Sequence, residues 1–209
     1  RVIPAFASGL DARPAVNAFY MEGGRPIVDA VISLTGFSLV GGPAYNDTDA
    51  AQALLESLDV PYLAVQGLEF QSLQDWQASS MGLMPVEATM MVAIPELDGA
   101  TGSMVFGGRS ELSAGEKFDM QPEPERIDRL ADRVARLVAL RHTPVAERKV
   151  AIVLFNFPPN SGAAGTAAHL SVFESLFNTL SAMRDEGYRV DLPASHAELR
   201  DAILNGNAK

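Results

Sequence analysis

Residues 149–191 read KVAIVLFNFPPNSGAAGTAAHLSVFESLFNTLSAMRDEGYRVD. Residues 150–155 form an unbroken apolar run of strand length, rich in β-branched side chains, which predicts a strand buried on both faces of a parallel sheet. Residues 156–166 are turn formers and small residues, ending at Ser161 or Thr166 as a helix N-cap. Phe173, Leu176, Phe177, Leu180 and Met183 then recur at spacings of three and four, so a helix with one apolar stripe follows, and Gly187 is placed to stop it. Residues 188–190 begin a new extended segment. The unit is β-loop-α-β, and its loop leads from the carboxyl end of a strand to a helix N-terminus, where free N–H groups and the dipole favour anions or carbonyl oxygens.

The same rhythm appears earlier in the chain. Residues 2–6 predict a short strand, residues 8–11 its exit loop, and residues 13–20 a helix broken by Gly23, Gly24 and Pro26. Residues 28–34 predict a second strand, followed by the Gly-containing loop 35–43. Asn46, Asp47 and Thr48 offer a cap and Asp49 an acidic first turn to a helix carrying Ala50, Ala51, Leu54, Leu55 and Leu58. Residues 60–65 predict a third strand, with residues 66–69 as its exit loop. Repeated strand-loop-helix units predict an α/β fold, a mostly parallel sheet with helices on both faces in the Rossmann or flavodoxin-like manner. Ligands of such sheets sit outside the carboxyl ends of the strands, so residues 8–9, 35–42, 66–69 and 156–166 are expected along one rim.

Residues 81–121 break the rhythm and read as a small irregular insertion: a Met-rich helix over 85–94, a turn over 95–99, a short strand over 103–107 and a polar loop over 107–115. Residues 123–140 are a clear amphipathic helix, with Ile127, Leu130, Val134, Leu137 and Val138 on one face. The organisation is therefore a βα-repeat region with its insertion over 1–121, then the amphipathic helix and final βαβ unit over 122–209, as one α/β domain or as halves of a larger protein's domains. A chain that starts at Arg1 with an immediate strand and closes on Asn205, Gly206 and Asn207 reads as a piece of a longer polypeptide.

Composition excludes several classes of function. With 209 residues and 47% hydrophobic content, the chain can bury a core. A formal charge of −10 argues against nucleic acid or an anionic membrane as partner, since both require clustered positive charge. No cysteine is present, which excludes disulfides, thiolate nucleophiles and Cys-ligated metal; a reducing cytoplasm fits. No apolar run has the length of a transmembrane segment.

Motifs narrow the chemistry further. The loop over Gly162, Gly165 and Thr166 invites a phosphate-loop reading, but the Lys that Walker A places beside its closing Ser or Thr is missing, and so is the third glycine of a dinucleotide fingerprint. Either a tight βα turn needs small residues here, or the loop touches a ligand. Arg126, Arg129, Arg133 and Arg136 form a helical row, but Glu125 and Asp132 stand one turn before Arg129 and Arg136, which predicts a solvated, self-paired face. Glu96 and Asp98 can hold a divalent cation or take a substrate proton, although two carboxylates before a glycine also make an ordinary acidic turn. His142, His169 and His196 lack ligand spacing and read as structural.

Three strings carry a family likeness: VISLTGFSLVGGP at 31–43, VAIPELDG at 92–99 and FNFPPNSGAAGTAA at 155–168. In that order they resemble the large porphyrin-binding (H) subunit of magnesium chelatase, and the likeness runs along nearly the whole chain. The cobaltochelatase large subunit is similar in the PELDG turn and in RHTPVAER at 141–148, but differs around the other two strings. The resemblance implies an enzyme of chlorophyll or bacteriochlorophyll biosynthesis that binds protoporphyrin IX and inserts Mg²⁺, a metal-inserting ligase of photosynthetic organisms. It implies two smaller partner subunits, one an AAA+ ATPase that hydrolyses ATP, in agreement with the missing Walker A motif. The setting would be cytoplasmic, or the plastid stroma in a plant or alga. The family's HGTxEWLPG motif is absent from the chain, so no catalytic residue is assigned and the piece alone is expected to be inactive. As wall of a porphyrin crevice the resemblance implies Thr35, Gly36, Phe37, Gly41, Gly42, Glu96, Asp98, Asn156, Phe157, Ser161, Gly162, Gly165 and Thr166. Backbone N–H groups at 162–166 would face a propionate, Phe37 and Phe157 would give apolar contacts, and Glu96 would stand near the ion path. The competing readings are a cobaltochelatase large-subunit fragment, or a small-ligand or architectural α/β module without catalysis.

Overall fold

A computed structural model describes residues 1–42, 44–110, 119–156, 164–165, 167 and 169–206. Two compact units are present, Arg1–Ala139 and Leu140–Lys209. The first unit begins with α1 (Arg13–Phe19), the hairpin β1 (Met21–Glu22) and β2 (Arg25–Pro26), β3 (Val31–Ser33), and a second small hairpin, β4 (Gly41–Gly42) with β5 (Tyr45–Asn46). It continues through α2 (Thr48–Leu58), β6 (Tyr62–Ser72) and α3 (Leu73–Ala78). A helical stretch follows as α4 (Pro85–Glu87), a π-helical turn (Ala88–Ala93) and α5 (Ile94–Asp98), and then come β7 (Met104–Ser110), β8 (Asp119–Pro122) and α6 (Pro124–His142).

The main sheet has the order β3-β6-β7-β8, with β3 and β7 parallel to β6 and β8 antiparallel to β7. Residues 62–66 of β6 are buried at every position, the pattern of a strand covered on both faces. On one face Val31, Tyr62 and Ala64 pack with Val16 of α1 and Ala51, Leu54 and Leu58 of α2. On the other, Leu63 and Val65 pack with Leu130 of α6, joined by Val134 and Leu137. The fold is thus α/β, a mixed, mostly parallel sheet with helices on both faces. Asp47 caps α2 as expected, its carboxylate accepting the Ala50 N–H at 3.0 Å. In the arginine row, Glu125 pairs with Arg129 one turn on, and Arg126 also lies over the Trp76 ring, 5.4 Å from its centroid.

Several expectations are corrected. Residues 2–6 join no ladder among the described residues, and Val2 and Phe6 are exposed. Residues 66–69 are no exit loop: β6 runs on to Ser72, its register with β7 shifting at Gln66/Gly67 and again at Leu68/Ser72. Those irregularities explain the misreading, since a Gln-Gly pair that bends a strand resembles one that ends it. Within 81–121, β7 is an inner strand of the sheet rather than part of a peripheral insertion. The helix expected over 85–94 runs to Asp98 because the chain absorbs Pro95 through a π turn. Pro95 has no N–H for the Met91 carbonyl four residues back, and that carbonyl instead accepts the Gln66 Nε2 donor at 3.0 Å.

The second unit holds a short 3₁₀ turn (Val145–Glu147), α7 (Val172–Asp185) and α8 (His196–Gly206). Gly187 lies just past the end of α7 with φ +92°, and its N–H reaches the Arg184 carbonyl. Residues 150–155 and 188–190 form no strand among the described residues, contrary to the βαβ reading. The reading of 150–155 rested on apolarity, strand length and β-branched content, none of which supplies the neighbouring strands a ladder requires.

Candidate functional site

The candidate site grows from the carboxyl end of β3. Val31 and Ser33 are in register with Tyr62 and Ala64 of β6, so the four side chains share one face of the sheet. The Ser33 and Thr35 hydroxyls are 2.9 Å apart and start the turn out of the strand. The chain then passes Gly36, against which the Met91 side chain packs, and half-buried Phe37. The Ser38 hydroxyl bonds the Val40 backbone at 3.2 Å. The next donor, the Leu39 N–H, goes to Asp98 Oδ2 at 3.0 Å across 59 residues of sequence. The second of the three strings thereby holds the first.

Asp98 is 1% exposed, and its other oxygen, Oδ1, has no partner among the described residues; the same is true of the Tyr62 hydroxyl. Burial pushes the Asp98 carboxyl above the usual carboxylate range, opposed by the Ser38 hydroxyl and the Leu39 N–H. Burial likewise pushes the Tyr62 phenol up to about 12, with Ser33 lowering it and the charge on Asp98 adding to the rise. This is a carboxylate engaged in holding a loop. Glu96, by contrast, is exposed on the surface of α5. Among the described residues no three His, Asp or Glu side chains are gathered to share an ion.

Two hollows lie in the first unit, one at the loop and one at the 95–99 turn. One, of about 370 Å³, is lined by Leu10, Asp11, Val40, Gly41, Gly42 and Tyr45, mostly through apolar surface. It exists because residues 10–12 run antiparallel to 39–41: the Ala12 N–H donates to the Leu39 carbonyl at 2.8 Å and the Gly41 N–H to the Leu10 carbonyl at 2.6 Å. Gly41 is at φ +127°, and a Cβ there would sit 2.3 Å from the Tyr45 carbonyl oxygen, so only glycine permits the β4–β5 hairpin to close. The other hollow, of about 570 Å³, has Glu56, Glu96 and Gln52 at its rim with Tyr62, Asp98 and Thr101.

Of the four loops expected on one rim, 35–42 meets residues 10–12, just past 8–9, within the first unit, and the 95–99 turn joins it through Asp98. Asn156 and Gly165 belong to the second unit. Phe157, Ser161, Gly162 and Thr166 lie outside the described residues. The anion reading of their loop is corrected in one respect: α7 begins at Val172 with Ser171 as N-cap, so Gly165 stands six residues before the cap and away from the helix terminus. The Gly165 N–H donates to the Phe155 carbonyl at 2.7 Å, beside a bridge between Asn156 and Ala164. Its φ is +68°, and a Cβ there would press on Val172 and Phe173 at 3.2–3.3 Å, so this glycine serves close packing onto α7.

Sequence reading missed three buried polar side chains: Tyr62, Gln66 and Glu87. Glu87, fully buried, accepts from the Met84 N–H at 2.9 Å and from Gln71 Nε2, leaving Oε1 without a partner among the described residues. The available signals were a glutamine inside the apolar run 62–68 and a proline four residues after Met91.

The match to known proteins is extensive. The family model described as CobN/Magnesium Chelatase covers residues 1–209. The chain is similar to the magnesium-chelatase H subunit of Rhodobacter capsulatus, 55% identical over 98% of this chain, and to the protein of the same name from Cereibacter sphaeroides, 53% identical over 99%. It is also similar to the chloroplastic magnesium-chelatase ChlH protein of Oryza sativa subsp. indica, 39% identical over 98%. The chain spans 18% of the length of the two bacterial relatives and 15% of the rice one. With the family model matched from the first residue to the last, this chain belongs to the CobN/magnesium chelatase family.

Proposed function

We propose that this chain is a segment of the large subunit of a magnesium chelatase, which binds protoporphyrin IX and inserts Mg²⁺ for chlorophyll or bacteriochlorophyll synthesis. ATP is hydrolysed in this reading by an AAA+ partner subunit, and the segment alone has no activity. The observation that carries it is the 53–55% identity over 98–99% of the chain to proteins named as the magnesium-chelatase H component. The work takes place in the cytoplasm, or in the plastid stroma of a plant or alga.

Metal insertion requires bending the macrocycle, removing two pyrrole protons and stripping water from a small, tightly hydrated cation. Within that task the segment contributes wall. The hollow of about 370 Å³ at Leu10, Val40 and Tyr45 offers apolar contact to one edge of the macrocycle, with Thr35, Gly36, Phe37, Gly41 and Gly42 as the loop that shapes it. Glu96, exposed at the rim of the second hollow, draws the cation by charge and has no further role.

The test is made in the full-length subunit. Tyr45→Ala is expected to weaken porphyrin binding about tenfold, read by quenching of porphyrin fluorescence, with the chelation rate at saturating porphyrin unchanged. Glu96→Gln is expected to raise the Mg²⁺ concentration needed for half-maximal rate and to leave porphyrin affinity alone. No change in either variant would make the wall reading wrong and the segment architectural.

A further inference from the structure

Two glycines bracket residues 37–40 of the loop. Gly36 at φ +72° and Gly41 at φ +127° both stand in the left-handed region, and neither has a Cβ to restrict its backbone angles. Between them the backbone is bonded group by group. The Leu39 carbonyl accepts the Ala12 N–H, the Val40 carbonyl accepts the Asp47 N–H at 2.8 Å, the Val40 N–H goes to the Ser38 hydroxyl and the Gly41 N–H to the Leu10 carbonyl. These partners lie within residues 10–47, so they tie the wall of the first hollow to itself. The Leu39 N–H differs, because its acceptor is Asp98 Oδ2 at the end of α5, outside that stretch. Asp98 is in turn fixed from two sides: Gln52 of α2 donates to the Leu97 carbonyl at 3.2 Å, and the Thr101 N–H donates to the Tyr62 carbonyl of β6 at 3.0 Å. One carboxylate oxygen thus refers the glycine-bracketed loop to the sheet and to α2.

We propose that Asp98 is a positioning residue for the porphyrin: through the Leu39 N–H it sets where Val40 and Gly41 stand, and with them the wall of the hollow of about 370 Å³. The inference rests on the reading of that hollow as porphyrin wall. Asp98 does not line it, whereas Val40, the residue after Leu39, does. Burial of the Leu39 and Val40 side chains keeps the loop on the core, but apolar contact is non-directional and allows a segment between two glycines to slide. A buried N–H is directional, and leaving it without an acceptor is costly enough to displace the backbone that carries it. A direct part in holding Mg²⁺ or taking a pyrrole proton would need the charge and basicity of the carboxylate; a positioning part needs only an acceptor oxygen at the same place. An amide and a carboxylate of the same shape therefore separate the two roles.

Asp98→Leu and Asp98→Asn in the full-length subunit test this, with porphyrin affinity read by fluorescence quenching and the chelation rate read at saturating porphyrin. Asp98→Leu has no acceptor and is expected to weaken porphyrin binding about tenfold with the saturated rate unchanged. Asp98→Asn is expected to retain both the affinity and the rate of the unmutated subunit. Wild-type affinity in the Leu variant overturns the proposal, and so does a rate lost in the Asn variant, which would put the carboxylate itself to work. If Asp98→Leu prevents accumulation of the subunit, Asp98→Ala takes its place under the same readings. Combination with Tyr45→Ala locates the effect: a double variant weakened about tenfold in all supports action through the shared wall, and one weakened about a hundredfold, the product of two independent losses, overturns it. Tyr45→Ala by itself reports on the wall reading. No loss there rejects that reading and the positioning role with it, whereas a loss there beside an unaffected Asp98→Leu rejects the positioning role alone.

Discussion

Two apolar runs of nearly equal composition have opposite fates in this chain. Leu63 and Val65 of β6 are 0% exposed, whereas Ile152 and Val153 are 46% and 92% exposed. The difference lies in what surrounds each. The β6 run has strands on both edges and helices on both faces, while the 150–155 run has no strand beside it among the described residues. Hydrophobic sequence states a demand for cover; burial follows only where other elements meet it.

The comparison is broken most severely at Leu63. Leu63→Ala is expected to destabilise the first unit by roughly 2–5 kcal/mol, because a side chain locked between β6 and α6 leaves a cavity that neither element can collapse to fill. Val153→Ala in the same 209-residue chain is expected to stay within about 0.5 kcal/mol. Urea unfolding with a Trp76 fluorescence signal reports the first unit, and α-helical circular dichroism reports both. Equal losses in the two variants would mean that the second run is already covered.

Gln66 sharpens the contrast from inside the buried run. Gln66→Leu retains volume and removes the donor that satisfies the Met91 carbonyl, so a loss of about 1–3 kcal/mol is expected, with the Pro95 segment losing order first. A neutral result in urea unfolding would show that the π turn finds another donor for that carbonyl.

What was legible in the sequence follows the same division. β3, β6, α2 and α6 could be read because their local signals and their packing agree: the Asp47 cap, the even burial of 62–65, the stripe through Leu130. The 150–155 strand was overread because apolarity was counted without its partners. Pairing of the 31–43 and 92–99 strings was partly legible as shared family likeness, but the bond between Asp98 and Leu39 spans 59 residues and has no periodic signature. Gly165 was read as standing at a helix N-terminus because the sequence offers Ser161 and Thr166 as caps, whereas α7 is capped at Ser171.

Asp98 extends the comparison to charge, a smaller effect with a defined sign. Its folded pKa is raised by burial, so the native state binds its proton more tightly than the unfolded chain does. The stability contribution is complete below the ordinary carboxylate range and is lost as pH rises through the higher folded value. Asp98→Asn retains an acceptor for the Leu39 N–H without the charge and is expected to remove that slope, changing stability by about 1 kcal/mol or less near pH 4 and raising it near pH 7. Denaturation midpoints measured across that interval test the sign: an Asn variant that is less stable at neutral pH and equal at acid pH would mean that the carboxylate is stabilised by a partner it lacks among the described residues.

The smallest effect is expected on the arginine face of α6. The Glu125 and Arg129 side chains are both largely in water, the exposed ion pair returns little of its Coulomb energy after side-chain entropy and salt screening, and Glu125 also pairs with Arg126 at 3.0 Å. Glu125→Gln is expected to leave the denaturation midpoint almost unchanged at low salt and unchanged in about 0.5 M salt. A larger loss, retained in salt, would come from Arg126: released from Glu125, it would have shifted off the Trp76 ring and uncovered the apolar cluster of Leu68, Leu73 and Val105 beside that ring. Trp76 emission separates the outcomes, since a screened surface pair leaves the indole environment unchanged and a displaced guanidinium moves it to longer wavelength.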